Sequence, residues 1–166
     1  MKEIPLTQGK VAIVDDADYE ELSNYKWYYT ASGYAARDAR NTNRTEGRCV
    51  YMHKQLIPSD EKVDHINRNK LDNRRENLRP ASNALNLCNR PKQINNTSGY
   101  KGVSWSKVCD KWSAELTSKG RKYHLGYFED KDEAAMMLNF WAPFIHGEFA
   151  YLNEIHGKKY EVVCSG

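Results

Sequence analysis

The sequence predicts an α+β protein, and three observations lead to that class. Short strand-like runs bounded by turn residues occur in the first third and the last third of the 166-residue chain. The middle, residues 58–97, is crowded with Asn, Arg and Asp and has little regular periodicity. Near the C-terminus, Ala134, Met137, Leu138 and Trp141 repeat at helical spacing. These patterns predict a β-rich first segment, an irregular centre, and a three-stranded antiparallel sheet packed on one helix.

The first segment, residues 1–56, contains the strand candidates 10–14, 26–30 and 33–37. Between the first two strands, Asp16 to Leu22 is predicted to form a short helix with carboxylates in its first turn, where the helix dipole favours them. Residues 49–53 begin as a further strand and are predicted to pass into a short helix near Leu56.

The last segment, residues 98–153, is predicted to be a unit of its own. Its strand candidates are 102–105, 111–116 and 122–128. Lys119-Gly120 is the clearest turn, and Asp130 or Asp132 is predicted to cap a helix from Glu133 to Phe144. Trp112, Phe128 and Trp141 are expected in the core, whereas Trp105 fits the core or an exposed sheet face equally well.

Composition limits the class of protein. An apolar content of 40% and a charged content of 28% are typical of a globular protein. No apolar run approaches the roughly 18 residues of a membrane span, and the N-terminus does not have the pattern of a secretory signal. The four cysteines are widely scattered, which favours reduced thiols over disulfides or a zinc knuckle. We therefore expect a cytoplasmic protein without membrane association.

Positive charge is concentrated in the centre. Residues 62–101 carry nine Lys or Arg and three acidic residues, a balance of +6, whereas residues 1–61 come to −2 and residues 102–166 to −1. A basic centre between near-neutral flanks suits a surface that lies against phosphates. A solvated basic loop is the alternative.

Four polar residues of the centre supply the groups that a one-metal phosphodiester-cleaving site needs. Asp64 offers a carboxylate and Asn86 a carbonyl oxygen, both suited to a hard ion such as Mg²⁺ or Mn²⁺. His65 is a candidate general base, because an ordinary pKa of about 6.5 leaves much of it neutral at physiological pH. Asn77 is a candidate for holding the loop. Since adjacent residues of a regular strand face opposite ways, Asp64 and His65 are expected at a strand end.

The segments 63–67, 71–73 and 76–79 resemble the HNH motif of phage and intron-encoded homing endonucleases, whose core is the ββα-metal fold. By position, the resemblance makes Asp64 and Asn86 metal ligands, His65 the catalytic base and Asn77 the residue that constrains the loop facing it. Many members have His where this chain has Asn86, although a sub-group of phage enzymes also has Asn, and the change weakens any case for zinc. Candidate phosphate contacts, each of which could also be a solvated side chain, are Arg68, Lys70, Arg74, Arg75, Arg79, Arg90 and Lys92. His53, in a similar element at 51–54, is expected to be a packing or hydrogen-bonded histidine.

The segments 100–103, 111–116, 125–128 and 133–135, ending at 151–153, resemble the plant APETALA2/ethylene-response DNA-binding domain. The resemblance implies a three-stranded sheet that lies in the major groove and is backed by a helix. Residues at groove-facing positions of that family are Lys101, Ser104, Glu115 and His124, and further candidate DNA contacts are Trp105, Lys107 and Arg121. Lys101 and Ser104 replace two arginines of the plant family, so sequence preference does not carry over.

Together the two resemblances imply a homing-type HNH endonuclease that hydrolyses duplex DNA with one divalent ion and no organic cofactor, as a monomer or a homodimer on DNA. They also imply that the cytoplasm is that of a phage or bacterial host. The expected domains are 1–97 (β-rich segment 1–56, ββα-metal motif 58–91, linker 92–97), an APETALA2-like domain 98–153 and a tail 154–166. The alternative is a non-cleaving, sequence-specific DNA-binding regulator with a relict nuclease motif. A more remote one is an RNA-binding protein with aromatic platforms.

Overall fold

A computed structural model of the chain describes residues 1–39, 49–155 and the backbone of 158–159. Most of the predicted tail, 154–166, lies outside the described residues. The chain divides into two compact units, Met1–Ser82 and Asn83–Gly166. The described residues combine helices with several small antiparallel sheets, which confirms the predicted α+β class.

The first unit contains three small sheets and two helices among its described residues. The strands are β1 (Lys2–Pro5), β2 (Val11–Val14), β3 (Trp27–Tyr29), β4 (Ala35–Asp38), β5 (Cys49–Tyr51), β6 (Lys62–His65) and β7 (Leu78–Ala81), and the helices are α1 (Asp16–Ser23) and α2 (Met52–Leu56). β1 pairs with β2, β3 with β4, β4 with β5, and β6 with β7, all antiparallel. The sequence indicated every element except β1 and β7, which contain Pro5 and Pro80 and lie in two-stranded sheets, where proline is tolerated at an edge.

Strand β2 connects the core of the first unit to the loop that follows β6. Ala12 and Val14 are fully buried among the apolar residues of the unit, whereas Ile13 between them faces the other way. The backbone of Ile13 accepts a hydrogen bond from Asn73 N at 2.7 Å and donates one to Leu71 O at 2.8 Å. The irregular centre of the sequence is therefore attached directly to a core strand.

The second unit begins with a short helix and continues as a sheet backed by a long helix. Its elements are α3 (Asn83–Asn89), β8 (Val103–Ser106), β9 (Lys111–Ser118), β10 (Arg121–Phe128), α4 (Lys131–His146), β11 (Glu154–Ile155) and β12 (Lys158–Lys159). β9 lies between β8 and β10, and all three are antiparallel, as predicted. Asp130 caps α4, because its Oδ1 accepts from the backbone N of Asp132 and Glu133.

One face of α4 packs on the sheet of β8, β9 and β10. Ala134, Leu138 and Ala142 are at most 1% exposed and pack in a core cluster with residues of β8 and β9. Trp112 and Phe128 also pack against this cluster, as expected from the sequence. The expectation for Trp141 was wrong: it is 42% exposed and contacts the rings of Phe140 and Phe144 instead. The buried stripe of α4 follows Ala134, Leu138 and Ala142, which are spaced by four, and Trp141 lies beside that stripe.

Helix α3 belongs to the second compact unit, although the sequence grouped it with the first 97 residues. The predicted domain limits, 1–97 and 98–153, remain a prediction. The consequence for function is that Asn86 and the pair Asp64 and His65 lie in different compact units.

Candidate active site

The hairpin of β6 and β7 carries Asp64 and His65. Asp64 lies opposite Arg79 in the antiparallel register. His65 is the last residue of β6, as the sequence predicted, and the chain then leaves the strand with Ile66 N donating to Asn77 O at 2.9 Å. Because neighbouring strand residues point to opposite faces, Asp64 and His65 contact different partners.

The carboxylate of Asp64 is bound by the guanidinium of Arg79. Oδ2 of Asp64 accepts from Nη2 at 3.0 Å and from Nε at 3.2 Å. The two side chains are only 8% and 10% exposed, respectively. A buried pair of this kind leaves an uncompensated charge if one partner is removed. Arg79 therefore orients the carboxylate of the candidate metal ligand, a role that the sequence did not indicate.

The imidazole of His65 lies in a buried environment that keeps it neutral. The residue is 4% exposed, and this burial lowers its pKa below the ordinary value of 6.5. A hydrogen bond to Asn73 and the charges of Asp64 and Asp72 oppose the shift. His65 is therefore unprotonated at physiological pH, as a general base has to be.

Asn73 determines which nitrogen of His65 is basic. Its Nδ2 donates to Leu71 O at 3.2 Å, so its Oδ1 faces His65 Nε2 at 3.3 Å. Since an amide oxygen only accepts, Nε2 carries the proton and Nδ1 is the basic nitrogen of the ring. Asn73 is 1% exposed and its backbone is bonded to Ile13. The sequence did not indicate this role, because Asn73 is one of several asparagines in the same loop and asparagine is common in turns.

Asn77 closes the loop that separates β6 from β7. Its Oδ1 accepts from Asn67 N at 2.9 Å, and its Nδ2 donates to Asp72 O at 2.7 Å. Asp72 is bound in turn by Arg74, with 2.8 Å between Oδ2 and Nη2, which lowers the pKa of the Asp72 carboxyl. At 5% exposure, Asn77 connects both halves of the loop from within.

A second histidine, His53 in α2, packs against His65. Its ring centroid is 5.3 Å from that of His65, 5.0 Å from Tyr34 and 5.5 Å from Tyr51. Burial, with smaller contributions from His65 and Lys54, lowers the pKa of His53 to about 3. Its Nδ1 is buried and has no hydrogen-bond partner among the described residues. His53 is thus a neutral packing neighbour of His65.

Several basic side chains of the first unit make bonds within the unit. Lys70 Nζ donates to Ser32 O at 2.8 Å, Arg74 pairs with Asp72 and Glu76, and Arg75 pairs with Asp18 at 2.7 Å. Together with Arg79, these residues help to fold the centre of the sequence. Arg68, another predicted phosphate contact, is exposed at the turn after β6 and has a positive φ of 66°.

In the second unit, the remaining candidate contacts lie on α3, the linker and the sheet. Asn86 is half-buried on α3, and Arg90 is exposed just beyond it. Lys92 Nζ donates to Gly99 O at 2.7 Å. Lys101 Nζ donates to three backbone carbonyls at the end of α3.

The sheet brings together three of the predicted groove-facing residues. Ser104 pairs with Ser113, and Glu115 pairs with His124. Directly paired residues share a face, and this face alternates with the one that packs on α4, so all three lie on the face away from the helix. Trp105 alternates with Ser104 and lies on the helix side, where its ring is 5.1 Å from that of Trp112. Lys107 and Arg121 are exposed near the ends of strands.

The described residues contain no cluster of three or more His, Cys, Asp or Glu side chains that could bind a metal ion. No helix among them is long and apolar enough to cross a membrane. Cys49, Cys88 and Cys109 are free thiols.

Comparison with known proteins assigns the chain to a family. The profile of the HNH endonuclease family matches residues 50–96. A protein of Acanthamoeba polyphaga mimivirus, named uncharacterized HNH endonuclease L560, is 32% identical over 151 residues, which are 89% of this chain and 77% of that protein. Protein 3.8 of Escherichia phage T7 is 34% identical over 96 residues, 57% of this chain and 77% of that protein. No solved structure matches.

The chain belongs to the HNH endonuclease family. It is accordingly a nuclease, a hydrolase of phosphodiester bonds. The family implies a DNA substrate and a divalent metal ion.

Proposed function

We propose that this endonuclease hydrolyses duplex DNA with His65 as the general base and with one Mg²⁺ or Mn²⁺ ion held by Asp64 and Asn86. The observation that carries the proposal is the state of His65. It is buried, neutral, and bonded through Nε2 to Asn73, which makes Nδ1 the nitrogen that can accept a proton.

In the proposed reaction, His65 accepts a proton, Asn77 fixes the loop beside it, and the 3′-oxygen of the DNA is the leaving group. Nδ1 of His65 takes a proton from water, and the resulting hydroxide forms a bond to phosphorus as the bond from phosphorus to the 3′-oxygen breaks. The 3′-oxygen takes up a proton from water and His65 returns its proton to the solvent, so the products are a 5′-phosphate and a 3′-hydroxyl. Asn77 keeps the loop closed beside the base through its bonds to Asn67 and Asp72.

The chemistry of the two candidate ligands fits a hard divalent ion. A carboxylate and an amide carbonyl offer only oxygen donors, which Mg²⁺ and Mn²⁺ prefer and zinc does not. When bound, the ion would neutralise charge at the phosphate and stabilise the leaving oxygen. Arg79 would keep the Asp64 carboxylate in one orientation for binding the ion, because two of its nitrogens donate to Oδ2. Asn86 is assigned from its position in the motif.

The second unit is proposed to bind DNA through the sheet face away from α4. Three strands backed by one helix agree with the architecture expected of an APETALA2-like domain. Ser104, Glu115 and His124 on that face are short or planar polar groups, suited to base edges in the major groove. Proposed contacts to the phosphates come from exposed cations: Arg68, Arg90, Lys107 and Arg121.

One catalytic base in each chain sets the expected product. A monomer nicks one strand, and a homodimer on DNA would cut both. A separate DNA-binding unit would add contacts beyond the cleavage position. It therefore supports homing-type recognition of an extended site.

The test is a cleavage assay on supercoiled plasmid that contains DNA flanking the gene. Wild type, His65→Ala and Asn86→Ala are compared in Mg²⁺, in Mn²⁺ and in EDTA. Ion-dependent nicking or linearisation that both substitutions abolish supports the proposal. Absence of cleavage by wild type, together with tight, salt-sensitive duplex binding shared by all three proteins, would leave the non-cleaving DNA-binding regulator.

A further inference from the structure

The side chain of Lys101 binds the end of helix α3. Its Nζ donates to Leu87 O at 3.3 Å, to Arg90 O at 2.7 Å and also to Cys88 O. An ammonium group has three N–H donors, which is enough for one bond to each of these carbonyls. Lys101 lies just before β8, in the sheet portion of the second unit, so these bonds connect the sheet to α3.

Helix α3 needs such a partner because it is short. It has seven residues, Asn83–Asn89, and helices of this length are not stable by themselves. The last carbonyls of a helix lack partners within the helix, and a cation there is favoured by the helix dipole. Lys101 satisfies two of these carbonyls and the carbonyl of Arg90 just beyond. The buried Cys88 is the other anchor of the same turn.

The backbone of Lys101 is itself fixed to α4. Lys101 N donates to Asn153 Oδ1 at 2.7 Å, and Asn153 Nδ2 donates to Lys101 O at 3.1 Å. Asn153 exchanges a second pair of bonds with Asn139 of α4, at 2.7 and 2.8 Å. Asn139 and Asn153 are 2% and 4% exposed. A continuous series of hydrogen bonds therefore runs from α4 through Lys101 to the end of α3.

We propose that Lys101 is a positioning residue for Asn86, the proposed second metal ligand. Asn86 immediately precedes Leu87, whose carbonyl Lys101 binds. The unit proposed to bind DNA thereby also fixes the helix that carries the proposed ligand Asn86. This inference rests on the proposed function, and it replaces the predicted groove contact of Lys101 with a role inside the second unit.

The two roles of Lys101 predict different measurements. If Lys101 contacts a phosphate, its removal should reduce the magnitude of the slope of log binding constant against log salt concentration by about one. A positioning residue leaves DNA affinity and its salt slope nearly unchanged, but loosens α3 and weakens use of the ion. The outer partners of metal ligands typically contribute about 10- to 100-fold to metal affinity or activity.

The experiment compares full-length wild type with Lys101→Met, Lys101→Arg and the control Lys131→Met, an exposed lysine of the same unit. Hydrogen exchange without DNA should show α3 amides exchanging about 10-fold faster in Lys101→Met, with α4 still protected. Lys101→Arg should restore most of the protection, and Lys131→Met should resemble wild type. The Mg²⁺ concentration for half-maximal nicking should rise about 10-fold in Lys101→Met, with DNA affinity within about twofold of wild type.

Two results would overturn the inference. One is unchanged α3 exchange in Lys101→Met. The other is a salt slope lower by about one with normal Mg²⁺ dependence, which would restore the DNA contact. A wild type that never cleaves would instead overturn the proposed function and with it the role toward Asn86, while the exchange data would still report whether Lys101 anchors α3.

Discussion

Nε2 of His65 lies 3.3 Å from Oδ1 of Asn73, and this contact connects the proposed catalytic base to the core of the first unit. Asn73 is bonded through its backbone to Ile13 of β2 and through its side chain to Leu71. The orientation of the base thus depends on a buried amide that is fixed on two further sides. An outer residue of this kind holds one tautomer of a histidine in place.

Substitution Asn73→Ala should lower the cleavage rate by about 10- to 100-fold, since His65 loses the partner that selects its tautomer. DNA affinity should stay within about twofold, because Asn73 is only 1% exposed and so has little surface to offer a phosphate or a base. The measurement is single-turnover nicking together with duplex binding in EDTA. Asn69→Ala is the control for loss of a loop hydrogen bond, because Asn69 is exposed and its Oδ1 accepts from Leu71 N without contacting His65. Equal cleavage by Asn73→Ala and Asn69→Ala would show that Asn73 does not orient the base.

Substitution Arg79→Met should lower the free energy of unfolding by about 3–5 kcal/mol, because it leaves the buried Asp64 carboxylate without its counter-ion. Urea denaturation measures the change. The double variant Asp64→Asn/Arg79→Met should recover some of the loss, since no charge is then left unpaired. If Arg79→Met were as stable as wild type but bound DNA with a lower salt slope, Arg79 would be a phosphate contact instead of a partner of Asp64.

Replacing Asn77 should open the loop after β6. Asn77→Ala removes both side-chain bonds, to Asn67 N and Asp72 O, and should cost about 1–3 kcal/mol of stability together with most of the cleavage activity. Asn77→Asp keeps the acceptor for Asn67 and should retain more of both. Thermal unfolding and nicking are measured side by side. Full activity in Asn77→Ala would contradict the role given to the closed loop.

His53 should make the first unit sensitive to acid. Its pKa is about 3 in the folded chain and about 6.5 when unfolded, so the unfolded chain binds more protons between these values. The stability that His53 contributes is therefore complete above pH 6.5 and is lost as the pH falls toward 3. The groups that face it are His65, Tyr34 and Tyr51, with Lys54 nearby.

In His53→Phe, urea denaturation between pH 7 and pH 4 should show a smaller loss of stability than in wild type, by up to about 3 kcal/mol. Tyr51→Phe, which keeps His53 and changes its ring neighbour, should retain the loss seen in wild type. The same pH dependence in His53→Phe and wild type would show that His53 is not the group responsible.

Most of the architecture followed from local patterns in the sequence. Alternation and turn residues indicated β8, β9 and β10. Asp130 or Asp132 indicated the start of α4, and Asp130 is the residue that caps it. Strands such as β7 were hidden because Pro80 and short length weaken the alternating signal. Trp141 was misplaced because helical spacing identifies an apolar face without showing which of its residues reach the sheet.

The candidate site was predictable only in its motif residues. Asp64, His65, Asn77 and Asn86 stand at recognisable spacing, and the structure describes where each lies. The partners of these residues did not follow from sequence, since Asn73, Arg79 and Lys101 act through contacts set by the folded chain. A surplus of Arg and Asn in one loop indicates turns and phosphate contacts equally, and only the hydrogen bonds show that Arg74, Arg75 and Arg79 bind carboxylates.

Chemical rescue of His65→Ala shows whether His65 is the general base. Plasmid nicking by His65→Ala in Mg²⁺ is measured with increasing imidazole, which can take the place of the missing base. His65→Ala should cleave at least about 100-fold more slowly than wild type, and free-base imidazole should restore some of the rate. Cleavage by His65→Ala at the wild-type rate would contradict the assignment of His65 as the general base.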